Sequence, residues 1–338
     1  MCERPTTMRG EPGIVLIVVL LIIAVIAAIV FEFCHDSRVK YQLAENSLHS
    51  YQALCCAEAG LAVAVAALEQ GNSIWSDETL ARILSGAASI SVGPGHCTTS
   101  VVAERGKINV NSLVTRDGKP VRQRIDQMLR LIDVLNAQRA GKNPISYSLV
   151  PALMDWIDPD DEVTVPPYVQ GANAGAEEEY YRSLPKPCHC KNGPVETLSE
   201  LLLIKGMTRE IFYGRADAER TSLTGFGECL TVYGDGLMNI NDASATLLQT
   251  LSERIDPTLA GSIVAHRPYQ SVGELADVPG MTREVLQTLR GQVTVQPGGE
   301  YYTVTARGAV GHCVRTVRLA LRRDLARGQV TPLIRWEM

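Results

Sequence analysis

From Ile14 to Phe31 every position is apolar, running IVLIVVLLIIAVIAAIVF. At 1.5 Å per residue such a run extends about 27 Å as a helix, close to the hydrocarbon thickness of a bilayer. A cleaved secretory signal has a shorter apolar core, roughly 7–15 residues, followed by a small-residue cleavage site. This run leads instead to Glu32, Cys34 and further helical patterning. Leu48, Tyr51, Leu54, Leu61, Val65 and Leu68 recur at spacings of three, four and seven, and neither Pro nor Gly interrupts Ile14 to Ala59. The pattern predicts one helix of more than fifty residues ending near Gly71. Its first half belongs in lipid, and its second half packs on a folded head through the stripe of large residues. Arg4 and Arg9 precede the span, but so do Glu3 and Glu11, so charge gives only a slight lean to a cytoplasmic N-terminus.

After Gly71 the texture changes. Ser89–Val92 and Cys97–Glu104 read as strands around the turn Gly93-Pro94-Gly95. Residues 121–140, 149–158, 198–203 and 209–213 read as helical, with a Pro/Gly-rich loop near 163–175. Glu228–Tyr233 reads as a strand, 243–290 as a second helical cluster, and Tyr301–Ala306 and Cys313–Leu321 as closing strands. Asn109-Val110-Asn111 and Asn239-Ile240-Asn241 repeat one small motif, each after a strand and before helices. Gly206 and Gly280 sit in Lys205-Gly206-Met207-Thr208 and Pro279-Gly280-Met281-Thr282. There a positive φ between helices suits glycine, and the Thr can cap the next helix. Strands flanking both clusters predict an α+β fold: one sheet beside the long helix, with the helical clusters as excursions from it.

Composition narrows the chemistry. The formal charge of −5 gives a polyanion little reason to bind. Once Arg4, Arg9, Glu3, Glu11 and Glu32 are set aside, 30 basic and 34 acidic residues remain. Residues 143–181 lack Lys and Arg but hold Asp155, Asp158, Asp160, Asp161, Glu162, Glu177, Glu178 and Glu179. Carboxylates at this density are solvated, paired or bridged by a cation, and Ca²⁺ suits oxygen donors on loops. The candidate ligands are Asp158, Asp160, Asp161, Glu177 and Glu178, although the spacing is not that of an EF-hand. Asp155 can also simply cap or pair beside Trp156. Cys188-His189-Cys190 is a weak zinc signal without a second pair. No catalytic residue set or nucleotide-binding motif is present, which argues against an enzyme.

Four segments, in this order, resemble the K-type minor pseudopilin of type II secretion, general secretion pathway protein K. They are Asp155-Trp156-Ile157-Asp158 with Asp160; Gly175-Ala176-Glu177-Glu178 with Tyr180-Tyr181; Glu200-Leu201-Leu202 with Gly206-Met207-Thr208; and Leu230-Thr231-Val232-Tyr233-Gly234 running into Asn239-Ile240-Asn241. Glu178 and Asp242 depart from the family pattern, and residues 292–338 match loosely. The resemblance implies a prepilin leader over 1–13, cut by prepilin peptidase between Gly13 and Ile14, with Gly10 as the other available glycine. It implies a transmembrane helix over 14–33 and a periplasmic half-helix over 34–70. Pilin-like strands over 71–108 and a first helical subdomain over 109–227 would follow. Then come a strand over 228–238, a second helical subdomain over 239–291, C-terminal strands over 292–323 and a tail over 324–338. Both subdomains are expected to be SAM- or helix-hairpin-helix-like.

Cut at Gly13, the fifth mature residue is Val18, where most pseudopilins carry Glu and the K type does not. The resemblance implies a place at the pseudopilus tip, in the inner membrane with a periplasmic head. Its expected partners are the I- and J-type minor pseudopilins, and it is expected to serve pseudopilus assembly and protein export. Eight cysteines remain after the leader, an even number that fits disulfides outside the cytoplasm. Cys97 with Cys313 is the first expectation, because Gly-His-Cys opens both strands; Cys188 or Cys190 with Cys229 is the second. The competing reading is a membrane-anchored helix-hairpin-helix DNA receptor of the competence type. It rests on Asn239-Ile240-Asn241, Ala265-His266-Arg267 and Pro279-Gly280-Met281, but the chain has no basic stripe and no Gly-x-Gly near Ser252–Pro257.

Overall fold

The computed structural model describes residues 12–69, 82, 85–139, 144–166, 174–216, 222–295, 300–324 and 327–337. The leader up to residue 11, with Gly10, lies outside them, as does most of the 163–175 loop. Helix α1 (Pro12–Glu69) is unbroken. Gly13 and Ile14 therefore stand in its first turn.

Strands β1 (Ser85–Val92), β2 (Gly95–Ala103), β9 (Tyr301–Val310), β10 (Cys313–Arg323) and β11 (Val330–Glu337) form one antiparallel sheet in the order β1-β2-β9-β10-β11. β2 and β9 are direct neighbours, with Cys97 opposite Gly308 and Ala103 opposite Tyr302. Everything between them in sequence is an excursion from one edge of this pair. The expected tail 324–338 is in fact largely the edge strand β11, paired with β10 from Val317–Glu337 to Arg323–Val330. Its alternation is obscured by Pro332 and a register shift, which hid it in the sequence.

α1 packs on one face of this sheet through part of the expected stripe: Leu61 and Leu68 are in the core, and Leu54 and Val65 pack against it. Leu48 and Tyr51 are 55% and 66% exposed. The buried line is Ala53, Cys56, Ala57, Leu61, Ala64, Ala67 and Leu68, set against Val304, Ala306, Val317, Leu319 and Leu321. The spacing is still helical. Small residues win because the axis lies close to the sheet: a Cβ on Gly308 would run into the Ala53 carbonyl, and one on Gly60 into the Cys97 sulfur. Leu61 and Leu68 then contribute about 1.5–3 kcal/mol each by burial.

The excursion, residues 104–300, is helical and carries two short parallel strand pairs. β3 (Ile108–Asn109) pairs with β6 (Leu230–Thr231), and β7 (Met238–Asn239) with β8 (Val293–Thr294). Glu228–Tyr233, expected in the main sheet, thus contributes only a two-residue strand to the excursion; Phe226–Cys229 before it is a 3₁₀ turn. Between β3 and β6 lie α2 (Arg122–Gln138), α3 (Leu149–Ile157), α4 (Glu178–Arg182), α5 (Arg209–Tyr213) and a two-residue antiparallel pair, β4 (Arg215–Ala216) with β5 (Ser222–Leu223). Between β7 and β8 lie α6 (Ala245–Gln249), α7 (Pro257–Ala265) and α8 (Arg283–Leu289).

The two units share a frame. In each, the first Asn of the motif accepts from the backbone of the second, Asn109 from Asn111 at 2.9 Å and Asn239 from Asn241 at 3.2 Å. The second Asn then clamps a distant chain. Asn111 exchanges both bonds with Val195 (2.9 and 2.8 Å), and Asn241 does so with Tyr269 (2.9 and 2.9 Å). A 3₁₀ turn follows each clamp, over Leu198–Leu203 and Val272–Asp277. Then come Gly206 (φ +84°) and Gly280 (φ +90°), and Thr208 and Thr282 capping α5 and α8. Both units bury their apolar faces in one continuous core. Arg130 Nε joins them, donating to the Thr250 carbonyl at 2.7 Å. Buried Glu104 ties the excursion to the sheet, accepting from Lys107 and from Thr303, each at 2.7 Å.

Candidate cation site in the first helical unit

α3 is buried on every side from Leu149 to Ile157, and Trp156 lies edge-on to Tyr181 at 5.1 Å. That packing puts Asp155 fully inside the protein. Its carboxylate accepts from the Thr164 backbone at 3.1 Å. Burial pushes its pKa up, and the bonds to Thr164 and Ala176 pull against the rise. Gly175 is required beside it, since any Cβ there would meet the Asp155 carboxylate. Asp155 is thus neither a cap nor a partner in an ion pair; it fixes the loop after α3.

Asp158 caps the C-terminus of α3, and Glu177 stands just before α4. These are 5% and 4% exposed. With exposed Asp160 they bring one oxygen each to within 4.8 Å of one another. Asp158 Oδ1 and both Glu177 oxygens are buried without a hydrogen-bond partner. The nearby Cys190 thiol is directed to the Asp155 carbonyl at 3.5 Å, so it leaves Glu177 without a well-formed bond. Burial, then the neighbouring Asp155, raises Asp158 to about 7 and Glu177 to about 8. A cluster of buried, partnerless carboxylates is costly unless a cation or protons answer it.

Two expected ligands are placed elsewhere. Asp161 accepts from Asn192 Nδ2 at 2.9 Å. Glu178 accepts from the Cys190 backbone at 2.8 Å, from His189 at 2.7 Å and from Arg182 at 2.5 Å. Those bonds, the Cys190 amide first, lower its pKa. Glu178 is therefore a structural acceptor. The donors that converge are all carboxylate oxygens, the chemistry of a hard divalent ion such as Ca²⁺. Cys188, His189 and Cys190 do not converge on one point: His189 faces Glu178 and the Cys190 sulfur faces Asp155.

The disulfide expectations do not hold. Cys97 and Cys313 are free thiols. β9 separates their strands, with Cys97 opposite Gly308 and Cys313 opposite Val310. Two strand spacings and a two-residue offset put their Cα atoms more than about 10 Å apart, beyond the reach of a disulfide. Cys188, Cys190 and Cys229 are likewise unjoined, with Cys229 deep in the core.

The second unit shows no such cluster among its described residues. Its Asp242 stands at the surface, accepts from Asn239 at 2.6 Å and lies near Arg267. Arg254 faces Glu284 at 3.7 Å, and Arg267 donates to the Ala243 carbonyl.

Comparison with known proteins matches these two units separately. The model of the family "Type II secretion system (T2SS), protein K" matches residues 106–214, and that of the helix-hairpin-helix motif matches residues 235–294. A "Type II secretion system protein K" of Pseudomonas aeruginosa is 26% identical over 313 residues, covering 90% of this chain and 86% of the relative. The crystal structure of the GspK-GspI-GspJ complex from the enterotoxigenic Escherichia coli Type 2 Secretion System contains a chain of the same fold. Its TM-score is 0.58 at 18% identity, over 89% of this chain and 99% of that one. Residues 106–214 thus match the protein K family of type II secretion, and the chain as a whole is similar to a protein of that name.

Proposed function

We infer that this chain is a minor pseudopilin of type II protein secretion, seated at the pseudopilus tip and supporting pseudopilus assembly and protein export across the outer membrane. The observation that carries this is α1. Its first half is an apolar membrane-spanning segment with a mean hydropathy of 3.8 and no buried residue, and the same helix continues without a break into the core of the head. Such a helix can leave lipid and pack among neighbouring helices without refolding the head. Leu43, Leu48 and Tyr51, 60%, 55% and 66% exposed just beyond the span, give the I- and J-type minor pseudopilins an apolar face. The related complex named for GspK, GspI and GspJ supports that partnership. Val18 cannot offer a carboxylate to the N-terminal amine of a subunit above, and the wide helical head above the sheet fits a position with no subunit there. The long apolar helix supports a membrane anchor, and the weak charge lean and the family plan support an inner-membrane span with the head in the periplasm.

We also propose that Asp158, Asp160 and Glu177 hold Ca²⁺, which would supply the positive charge their buried oxygens lack. Its role is structural: it would join the end of α3 to the start of α4. A DNA receptor role is disfavoured because Arg267 of the second unit donates to the Ala243 carbonyl, exposed Arg254 lies against Glu284, and the chain carries a net charge of −5.

The test is N-terminal sequencing of the membrane protein with and without prepilin peptidase, together with co-purification of the I and J proteins. A peptidase-dependent start at Ile14 and a stable ternary complex are expected. An unprocessed chain that binds neither partner would overturn the reading.

A further inference from the structure

The two faces of the five-stranded sheet treat arginine differently. Residues 301–338 hold seven Arg and no Lys, against Asp324 and Glu337, in a chain of net charge −5. On the face toward α1 the arginines are answered by the chain itself. Arg315 donates to Ser50 at 2.7 Å, and Arg335 pairs with Glu58 and with Glu337. On the other face, Arg307, Arg318 and Arg322 are exposed, with His96 beside them on β2. Among the described residues none of these forms an ion pair; Arg322 only lies over the Tyr301 ring. The register places Arg307 opposite Thr98 and Thr316, and Arg318 opposite Thr305. The two guanidinium-bearing positions are therefore diagonal neighbours, about 7–8 Å apart. Around them stand Ser100 and Thr305, both half-buried, while the Thr303 hydroxyl further along β9 is taken up by Glu104; no outward strand position itself carries a carboxylate.

We propose that this outer face, across β2, β9 and β10, is a docking surface for an acidic, carboxylate-bearing segment of a partner protein. Unpaired like charges set diagonally on a sheet are a liability that a solvated face does not need. Paired guanidiniums with hydroxyl donors between them match carboxylates, which Arg binds in bidentate fashion. Lipid headgroups do not fit, because the site lies too far from the membrane. Gly308, next to Arg307, abuts Ala53 of α1. That residue stands about 30 Å along the helix from the end of the apolar run, several Debye lengths from the lipid surface. A long polyanion such as nucleic acid would overrun the small patch onto a net-acidic molecule. The proposal does not depend on the pseudopilin reading or on Ca²⁺.

The experiment uses the full chain in neutral detergent micelles and a fluorescein-labelled hexaglutamate peptide, read by fluorescence anisotropy at low salt and at high salt. Binding at low salt that weakens as salt rises is expected. Arg307→Glu with Arg318→Glu should weaken it about tenfold or more. The milder pair Arg307→Gln with Arg318→Gln should fall between, and Arg315→Gln, which changes only the inner face, should bind like the parent. Circular dichroism on each variant checks that the fold is kept. No binding to the parent chain at low salt, or equal binding by the Gln pair and the parent, would overturn the proposal. So would polyphosphate of equal charge competing far better than unlabelled hexaglutamate, which would assign the face to phosphate ligands.

Discussion

The two helical units are built on one frame and differ in the negative charge they bury. Each has a parallel strand pair, an Asn clamp, a 3₁₀ turn, a left-handed glycine and a Thr-capped helix. In the second unit the clamp spans 28 residues, and its Asp242 stays at the surface, bonded to Asn239 near Arg267. In the first it spans 84, and the added chain folds into α2, α3 and α4 around Asp155, Asp158 and Glu177. Nothing basic faces that cluster closely enough to pair with it among the described residues. The shared frame is therefore self-sufficient, while the larger insertion has a charge requirement that its own side chains do not meet.

The largest effect should come from withdrawing that charge partner. If Ca²⁺ is present at a hundred times its dissociation constant, its removal costs about 2.7 kcal/mol. Chelator should therefore lower the melting temperature of the full chain and speed amide exchange over residues 155–182, leaving exchange over 238–294 unchanged. Asp158→Asn with Glu177→Gln should remove the dependence on Ca²⁺. Identical melting and exchange in Ca²⁺ and in chelator would erase the distinction between the units.

A second effect is one of sign. Without a cation, Asp158 and Glu177 titrate near 7 and 8, against ordinary values of 3.8 and 4.5. The native state then holds protons that the unfolded chain has already released. Stability should fall as pH rises from about 4.5 to 8 in chelator. In Ca²⁺, which binds the ionised carboxylates, the same scan should flatten or reverse. The measurement is thermal unfolding across that range in both buffers, and parallel curves would count against a cation at these oxygens.

Breaking the shared frame should cost less, and about equally on both sides. Asn111→Ala leaves the Val195 amide and carbonyl without partners, and Asn241→Ala does the same to Tyr269. Each should destabilise by about 1–3 kcal/mol in urea unfolding. A much smaller loss at Asn111 would mean that the longer insertion, rather than the clamp, organises the first unit.

Much of this frame was legible in the sequence. The Asn-x-Asn repeats and the two Gly-Met-Thr turns are local, and local backbone chemistry is visible one chain segment at a time. The membrane run was visible for the same reason. What stayed hidden depends on distance in sequence. The alanines of α1 carry little hydrophobic signal, and their burial follows from how closely Gly308 lets the helix approach. Cys97 and Cys313 share a Gly-His-Cys pattern, but only strand order shows that β9 separates them. Asp160 and Asp161 look alike in the chain; Asn192, more than thirty residues on, takes the Asp161 carboxylate, while that of Asp160, which accepts from the Glu162 amide, lies toward Glu177. Glu178 was a candidate ligand by its place in the acidic run and proved to be tied to the Cys190 amide instead.

The smallest expected effect tests the equivalence of the units most cleanly. Gly206 and Gly280 hold φ of +84° and +90°. A Cβ would meet nothing within 4 Å at Gly206, and only the tip of Leu259 at 3.6 Å at Gly280. Neither substitution creates a clash, so the cost of Gly→Ala is the backbone term alone, about 1–2 kcal/mol at each site. It should also be independent of Ca²⁺ at both, because neither turn touches the carboxylate cluster. Equal losses at Gly206 and Gly280, unchanged by chelator, would locate the difference between the units in the charged insertion. A loss at Gly206 that grew in chelator would instead mean that the cation supports the whole first unit, its turn included, and the separation of frame from insertion would have to be given up.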